Sequence, residues 1–308
     1  MSQKTLIVGL SVLMSVTSAA VPQSAQALPN TAGVSKVMII LEENHSLAQA
    51  TGTDPTTGQF SMPYLMGQLN SVGGAYLTNY FAVTHPSNPN YIALTSGVVP
   101  ATKDCSPSSC PARDPLTGQL VPSVFGQTIE SGNTAASYQE SMPSNCQARN
   151  ASPYVVRHNP WPYYYLYTYS DGMSEQSMCG QFDVPVDASG TSLPLTDLPN
   201  VSFVTPNLLH DAHQGTLLDA DNWLASFLPA VMTSPDYTDG SLAILVTFDE
   251  AGTKCGCKNN VLMGALHQGG LAGGPIVGNK VTHLSTYNTL LAVGTGTGTG
   301  PLMQAFGL

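Results

Sequence analysis

Residues 34–45 have the sequence VSKVMIILEENH, in which a nearly continuous apolar run ends abruptly in polar residues. Such a run, with β-branched members, is typical of a strand buried on both faces of a parallel sheet. Residues 201–205 and 242–248 have the same character, and the amphipathic stretch 217–232 between them predicts a helix. Strands that alternate with helices predict an α/β fold, a three-layer sandwich with a mainly parallel central sheet.

Polar clusters follow all three predicted strands. The first strand runs into Glu43 and Asn44, the second leads to Asp211 and His213 in the sequence HDAH, and the third ends in Asp-Glu at 249–250. Charged residues make up only 9% of the chain, against roughly 25% in ordinary globular proteins. Ligands of open α/β sheets bind outside the carboxyl ends of the strands. We therefore expect these clusters to converge in one site.

Shorter elements are predicted between these strands. Residues 64–69 have a helical pattern, and residues 76–83 have the pattern of a strand. A helix over 89–95 is opened by Pro89 and stopped by Gly97.

The sequence predicts an export signal followed by one domain. Residues 1–27 combine Lys4, a short apolar run and a final Ala-Gln-Ala, which predicts a signal peptide and a secreted or extracytoplasmic protein. Residues 28–308 are then a single domain, with an irregular insertion around 105–197 that is rich in Pro, Ser and Tyr. The Gly-Thr alternation at 294–300 predicts a flexible tail.

The charge balance excludes some partners. The net charge is −10, which argues against nucleic acid and anionic lipid as partners. After the leader no segment is apolar for long enough to be a membrane helix, so we expect no stable membrane insertion. The sequence leaves the oligomeric state open.

The six cysteines predict disulfides, because their number is even and the chain is expected to be exported. We expect Cys146 to be bridged to Cys179 across the middle segment, and Cys105 with Cys110 is the next pair. No second half of a zinc site accompanies Cys255 and Cys257, which argues against zinc there. The pairing of these two cysteines stays open.

Ser87 lies two residues before Pro89, at or beside the cap of the predicted helix. A serine there is most often an ordinary N-cap. The alternative is that the helix N-terminus receives a phosphate and aims the hydroxyl at phosphorus. The local sequence alone favours the plain cap.

Eight segments, which occur in order over roughly residues 36 to 291, reverse that preference. They are IILEENHS, THPSNPNYIALTSG, YQESMPSNC, RHNPWPYYY, LPNVSFVTPNLLHDAHQG, LAILVTFDE, GGPIV and THLSTYNTLL. Together they resemble the bacterial phosphoesterase family of acid phosphatases and phospholipase C enzymes, a branch of the alkaline-phosphatase-like fold.

The resemblance implies a role for particular residues. It implies that Ser87 is the nucleophile and that a metal is held by Glu43, Asn44, Ser87, Asp249 and Glu250. It implies that the catalytic pocket also contains His158, Asp211 and His213. It implies that substrate phosphate is contacted by Asn90, His85 and His283.

The chemistry of these residues fits a bound cation and a phosphate. Oxygen ligands attract one hard divalent ion, with Mg²⁺, Ca²⁺ or Mn²⁺ favoured and Zn²⁺ also possible. Histidines that are protonated can bind phosphate, which predicts an acidic to neutral pH optimum. Of the three arginines in the chain, Arg157 is the candidate for a role in the site, because it lies beside His158.

The sequence therefore predicts a secreted, metal-dependent phosphoesterase that hydrolyses small phosphate monoesters through a serine. One alternative is a phospholipase C that cleaves lipid phosphodiesters. A second alternative is a non-catalytic secreted binding protein on the same fold, which the presence of Ser87 and both pairs of predicted metal ligands argues against.

Overall fold

The computed structural model describes residue 1 and residues 33–53, 57–100, 103–252 and 255–308. The predicted signal peptide, after Met1, lies outside the described residues. The strands in chain order are β1 (Lys36–Glu42), β2 (Gly74–Leu77), β3 (Tyr80–Phe81), β4 (Ala135–Glu140), β5 (Asp183–Val186), β6 (Val201–Thr205), β7 (Leu242–Phe248), β8 (Met263–His267), β9 (Pro275–Ile276) and β10 (Val281–Thr282). The helices are α1 (Leu47–Ala50), α2 (Pro63–Leu69), α3 (Ser87–Ser96), α4 (Val124–Glu130), α5 (Glu175–Phe182), α6 (Leu217–Met232), α7 (Pro235–Thr238), α8 (His283–Gly294) and α9 (Gly300–Phe306).

The central sheet has eight strands in the order β5-β4-β6-β1-β7-β8-β2-β9. The five strands from β5 to β7 are mutually parallel, and only β8 runs antiparallel to its neighbours. In the middle of the sheet, Ile39 of β1 pairs with Phe203 of β6 on one side and with Leu245 of β7 on the other. All three side chains are fully buried, as expected for parallel strands that are covered on both faces.

Helices cover both faces of this sheet. One layer contains α2, α6 and α7, and the other contains α3, α4, α8 and α9. The predicted three-layer α/β sandwich is confirmed. Each helix among the described residues is too short or too polar to cross a bilayer.

The strand predicted over 76–83 is two strands. The chain turns at Thr78 and Asn79, so that β2 joins the large sheet while β3 pairs with β10 in a separate two-stranded sheet. The side chain of Asn260 stabilises this break, because its amide nitrogen donates to the carbonyls of Thr78 and Tyr80. The local sequence pattern could not predict this contact, because Asn260 lies about 180 positions further along the chain.

Residues 105–197 were expected to be irregular, yet they supply two strands of the central sheet. β4 lies between β5 and β6, and all six of its residues are buried. Its sequence, AASYQE, is half polar, so it lacks the apolar run that identified β1. Tertiary pairing overrides that weak local signal.

The disulfide predictions are confirmed, and a third bond is added. Cys146 is bonded to Cys179, and Cys105 is bonded to Cys110. The sequence left Cys255 and Cys257 open, and they are bonded to each other.

The C-terminal segment is not a flexible tail. The Gly-Thr run lies between α8 and α9, and Leu302, Met303 and Phe306 of α9 are buried in the core. Gly300 adopts a positive φ of 78° and lies against Thr289 of α8, where a Cβ atom would come within 2.5 Å of the Thr289 Cα. The glycines therefore allow a tight helix-to-helix turn.

The buried carboxyl group of Asp183, at the start of β5, should make the stability of the folded protein depend on pH. Its Oδ2 accepts a hydrogen bond from Asn159 Nδ2 at 2.7 Å, but burial raises the pKa of this carboxyl from 3.8 to about 7. The folded protein holds a proton here that the unfolded chain releases near pH 4. Its contribution to stability is therefore complete below that pH and is lost as the pH rises toward 7.

Asp183→Asn should flatten this dependence, because the amide cannot ionise. Between pH 5 and pH 8 the variant should lose roughly 2–3 kcal/mol less unfolding free energy than the wild type. Urea unfolding at the two pH values measures the difference. Equal pH dependence in both proteins would show that Asp183 is ionised in the folded state.

Candidate active site

The carboxyl ends of β1, β6 and β7 meet at one edge of the sheet, and the segments that follow them are joined through backbone amides. The amide of Glu43 donates to the carbonyl of Asp211 at 2.7 Å, and that of Asp249 donates to the carbonyl of Glu42 at 2.9 Å. The amide of Asn44 donates to Asp249 Oδ1 at 3.0 Å. The three polar clusters therefore form a single group.

Ser87 is the first residue of α3, and the helix is buried along all ten residues. Pro86 occupies the N-cap position, and no side chain caps this end. Ser87 Oγ instead donates to Glu43 Oε2 at 2.9 Å. The hydroxyl thus lies where a helix N-terminus favours an anion, with a carboxylate in direct contact.

Glu43 is the centre of the hydrogen-bond network. Besides Ser87, Asn44 Nδ2 donates to its Oε2 at 3.0 Å, and the hydroxyl of Tyr91 donates to its Oε1 at 2.7 Å. The Tyr91 ring also stacks on His158, with centroids 5.4 Å apart. Sequence reasoning missed Tyr91, although its position four residues after Ser87 places both side chains on one face of a helix.

His158 connects Glu43 to Asp211. Its Nδ1 lies 3.0 Å from Asp211 Oδ2, and Asp211 Oδ1 accepts the amide of His213 at 2.8 Å. We assign the ring hydrogen to Nδ1, because the Asp211 carboxylate is its hydrogen-bond partner, and this assignment leaves Nε2 as an acceptor. Nε2 lies 3.1 Å from Glu43 Oε1, but no described group donates a hydrogen bond to it. Two buried acceptors therefore face each other.

Asp249 and Glu250 complete the cluster. Asp249 is fully buried, and its Oδ2 has no hydrogen-bond partner among the described residues. Glu250 is also buried, and its Oε2 lies 2.6 Å from Nδ1 of the more exposed His85.

Burial raises the pKa of all four carboxyl groups of the cluster, and repulsion between them raises the pKa of Glu43 and Asp249 further. Burial, with Asp249 and Asp211 as further causes, raises the pKa of Glu43 well above its usual range. Burial and then Glu250 raise the pKa of Asp249 in the same way. Burial raises the pKa of Asp211 and of Glu250 to about 7. The site therefore brings together more carboxyl groups than the hydrogen-bond donors around them can stabilise as anions.

The histidines of the cluster are shifted toward the neutral form. Burial lowers the pKa of His158 well below its usual range, and Arg157 lowers it further. Burial also lowers the pKa of His213 and of His85. The sequence analysis expected imidazolium groups around a phosphate, whereas burial favours neutral rings that accept hydrogen bonds or ligate a metal.

His283 and Asn90 lie behind the cluster. The two ring nitrogens of His283 lie 2.7 Å from the hydroxyl of Tyr80 and 2.6 Å from the carbonyl of Asp249. The side chain of Asn90 accepts from the amides of Val83 and Thr84 and donates to nearby carbonyls. Their polar atoms are thus engaged in holding the strand-end loop and the loop before Ser87.

Arg157 and Asp104 border the site on the other side. Arg157 Nη2 lies 3.2 Å from His213 Nε2, and its Nε lies 3.6 Å from Asp104 Oδ2. Asp104 Oδ1 accepts the amide of Asn88, the residue that follows Ser87. Asp104 was not selected from the sequence, because nothing in its local pattern places it at the N-terminus of α3.

The model of the phosphoesterase family matches residues 72–256, which is more than half of the chain. The chain belongs to the phosphoesterase family. The match contains Ser87, His158, Asp211 and Asp249, while Glu43 lies before it.

Curated relatives of this phosphoesterase are phosphatases. A phosphatidylinositol-3-phosphatase from Mycobacterium tuberculosis is 31% identical over 235 residues, which is 75% of this chain and 68% of the relative. A probable acid phosphatase from Kluyveromyces lactis is 30% identical over 271 residues, which is 85% of this chain and 58% of the relative. An acid phosphatase from Aspergillus fumigatus is 29% identical, and the phosphoesterase spans only 42% of its length.

Solved structures give the fold. A lipoteichoic acid synthase from Listeria monocytogenes matches 86% of the phosphoesterase and 73% of its own chain, with a TM-score of 0.53 and 13% identity. A protein of the alkaline phosphatase superfamily from Vibrio parahaemolyticus matches 85% and 67%, with a TM-score of 0.51 and 14% identity. The phosphoesterase thus has the alkaline-phosphatase-like fold.

Proposed function

We propose that this phosphoesterase hydrolyses small phosphate monoesters by a two-step mechanism in which Ser87 is phosphorylated. The observation that carries the proposal is the position of Ser87 Oγ, at the uncapped N-terminus of α3 and 2.9 Å from Glu43 Oε2. An N-cap serine would accept a hydrogen bond from its own helix. Ser87 instead donates to a buried carboxylate, as a nucleophile that must lose its proton requires.

We propose that the site also holds a divalent cation. The fit is supported by the unpartnered Oδ2 of Asp249 and by the two acceptors, His158 Nε2 and Glu43 Oε1, that face each other at 3.1 Å. Buried polar atoms of this kind are rare without a ligand or water. Burial, and then repulsion from neighbouring carboxylates, raises the pKa of Glu43 and of Asp249, and a bound cation would relieve that repulsion.

Two overlapping donor sets could hold the ion. The set implied by the family resemblance is the oxygen set Glu43, Asn44, Ser87, Asp249 and Glu250, which suits Mg²⁺, Ca²⁺ or Mn²⁺. The structure also brings ligand atoms of Glu43, His158 and His213 within 4.8 Å of one another, a mixed set that suits Zn²⁺. When bound, the cation would lower the pKa of the serine hydroxyl and neutralise charge on the phosphoryl group.

The protein's own groups would manage the proton. In the first step Ser87 Oγ attacks phosphorus, the bond from phosphorus to the leaving oxygen breaks, and Glu43 accepts the serine proton along the existing hydrogen bond. In-line attack puts the leaving alcohol on the face of phosphorus opposite to Glu43, so solvent supplies the proton that this alcohol takes up. In the second step water attacks phosphoserine and loses a proton to solvent, phosphate is released, and Glu43 returns its proton to Ser87 Oγ. Tyr91 and Asp211 hold Glu43 and His158 in place throughout.

We further propose that the enzyme is secreted and releases phosphate outside the cytoplasm. This rests on the predicted signal peptide and on the three disulfides, which are typical of exported proteins. The names of the fungal acid phosphatases are consistent with a monoester substrate.

Hydrolysis of p-nitrophenyl phosphate and of p-nitrophenylphosphorylcholine separates the candidate functions. We expect the monoester to be hydrolysed with a kcat/KM at least about 100-fold above that of the diester, since the monoester carries the extra negative charge that a cationic phosphate site binds. Release of p-nitrophenol is the measurement. Preference for the diester would indicate a phospholipase C, and hydrolysis of neither would indicate a binding protein.

A further inference from the structure

A cavity of about 420 Å³ adjoins the candidate active site beyond Arg157. We call it the arginine cavity, and its walls include Asp104, Cys105, Arg149, Asn150 and Arg157. Its volume is in the range of ordinary small-ligand sites.

The cavity begins one side chain away from the cluster around the nucleophile. Arg157 forms part of its wall and lies 3.2 Å from His213. Asp104, on the same wall, accepts the amide of Asn88 directly after Ser87. A leaving group attached to a phosphate at Ser87 would therefore have room to extend along Arg157 into this space.

The charge of the cavity is opposite to that of the protein. The chain has a net charge of −10 and only three arginines, yet two of them line this one cavity. The third, Arg113, donates to the carbonyl of Gly118 in an exposed turn. Asp104 lies beside Arg157, whereas Arg149 forms no ion pair with any described residue. One guanidinium is thus left for a ligand.

Parts of both walls are held by a disulfide and hydrogen bonds, while Arg149 itself is exposed. The disulfide between Cys105 and Cys110 ties one wall, and the hydroxyl of Tyr163 donates to the carbonyl of Cys105 at 2.6 Å. On the other wall, Asn150 Oδ1 accepts the amide of Val156 at 3.0 Å. Fixed walls reduce the conformational entropy that a ligand must overcome on binding.

We propose that the arginine cavity binds a second phosphate group carried by the leaving alcohol. The preferred substrates would then be phosphate esters with another phosphate on the same small molecule. A guanidinium matches phosphate because its planar N–H groups can donate to two oxygens at once. This inference rests on the proposed function, since it assigns the substrate class of the same site.

The test compares propyl phosphate with propane-1,3-diyl bisphosphate on the full-length enzyme. We expect kcat/KM for the bisphosphate to exceed that for the monophosphate by about tenfold, after division by two for its two equivalent esters. Arg149→Gln should lower this ratio about tenfold. Arg113→Gln, which removes the arginine outside the cavity, should leave the ratio unchanged.

The outcomes separate the two proposals. Equal efficiency on both esters in the wild type, or a ratio that survives Arg149→Gln, would overturn the second-phosphate site while the phosphatase proposal stands. Failure to hydrolyse either ester would instead remove the proposed function itself. An equal loss of the ratio in Arg113→Gln would show a general effect of charge and would also overturn the site.

Discussion

Ser87→Ala should reduce kcat by at least about 10³-fold, because the covalent step disappears while the rest of the pocket remains. Little stability should be lost, since the hydroxyl caps no helix and donates instead to the side chain of Glu43. Steady-state hydrolysis of p-nitrophenyl phosphate gives the rate, and thermal unfolding gives the stability.

Ser174→Ala is the matched control. Ser174 is a true N-cap, and its side chain accepts from the amide of Ser177 at the start of α5. Its removal should cost about 1 kcal/mol of stability and leave kcat unchanged. The nucleophile assignment fails if Ser87→Ala behaves like Ser174→Ala.

Glu43→Gln and Asp249→Asn should each reduce metal affinity by at least about 100-fold, with a parallel loss of activity. Each change removes a negative oxygen ligand, although the amide keeps the volume and one acceptor. Exhaustive chelation of the wild type should abolish activity, and elemental analysis of the untreated protein will identify the ion. A zinc result would favour the Glu43, His158 and His213 set, and magnesium, calcium or manganese would favour the oxygen set.

A readout without turnover makes this prediction independent of the role of Ser87 as nucleophile. Added metal should raise the Tm of the chelated wild type, because the ion binds only the folded state. The same addition should leave the Tm of Glu43→Gln nearly constant. Asp183→Asn serves as the control, since its carboxyl is buried outside the site and its response to metal should equal that of the wild type. A wild type that contains no metal and gains no stability from any divalent ion would contradict the cation site.

Much of the fold could be predicted because its central strands carry strong local signals. β6 and β7 were predicted with the bounds that the structure gives, and α6 was as well. Elements whose identity depends on partners could not be predicted. β4 is half polar and forms a strand because it pairs with β5 and β6. α9 could not be predicted because its position depends on the contact between Gly300 and Thr289.

The candidate site, like the fold, could be predicted only in part from the sequence. Strand-end residues such as Glu43 and Asp249 could be selected from the sequence, since parallel strands bring their carboxyl ends together. Position along the chain could not reveal which atoms face the pocket. His283 turns both ring nitrogens to protein groups, and Tyr91 contacts Glu43 across the pocket from the middle of a buried helix. Such contacts depend on side-chain direction and tertiary packing, which a single sequence does not contain.

The stereochemistry of phosphoryl transfer tests the central claim most directly. A phosphate monoester made chiral at phosphorus with oxygen isotopes can be transferred by the enzyme to an acceptor alcohol, and the configuration of the product can then be determined. Attack by Ser87 followed by attack of the acceptor involves two in-line displacements, so we predict net retention of configuration. Net inversion would show a single displacement without a phosphoserine intermediate and would contradict the role of Ser87 as nucleophile.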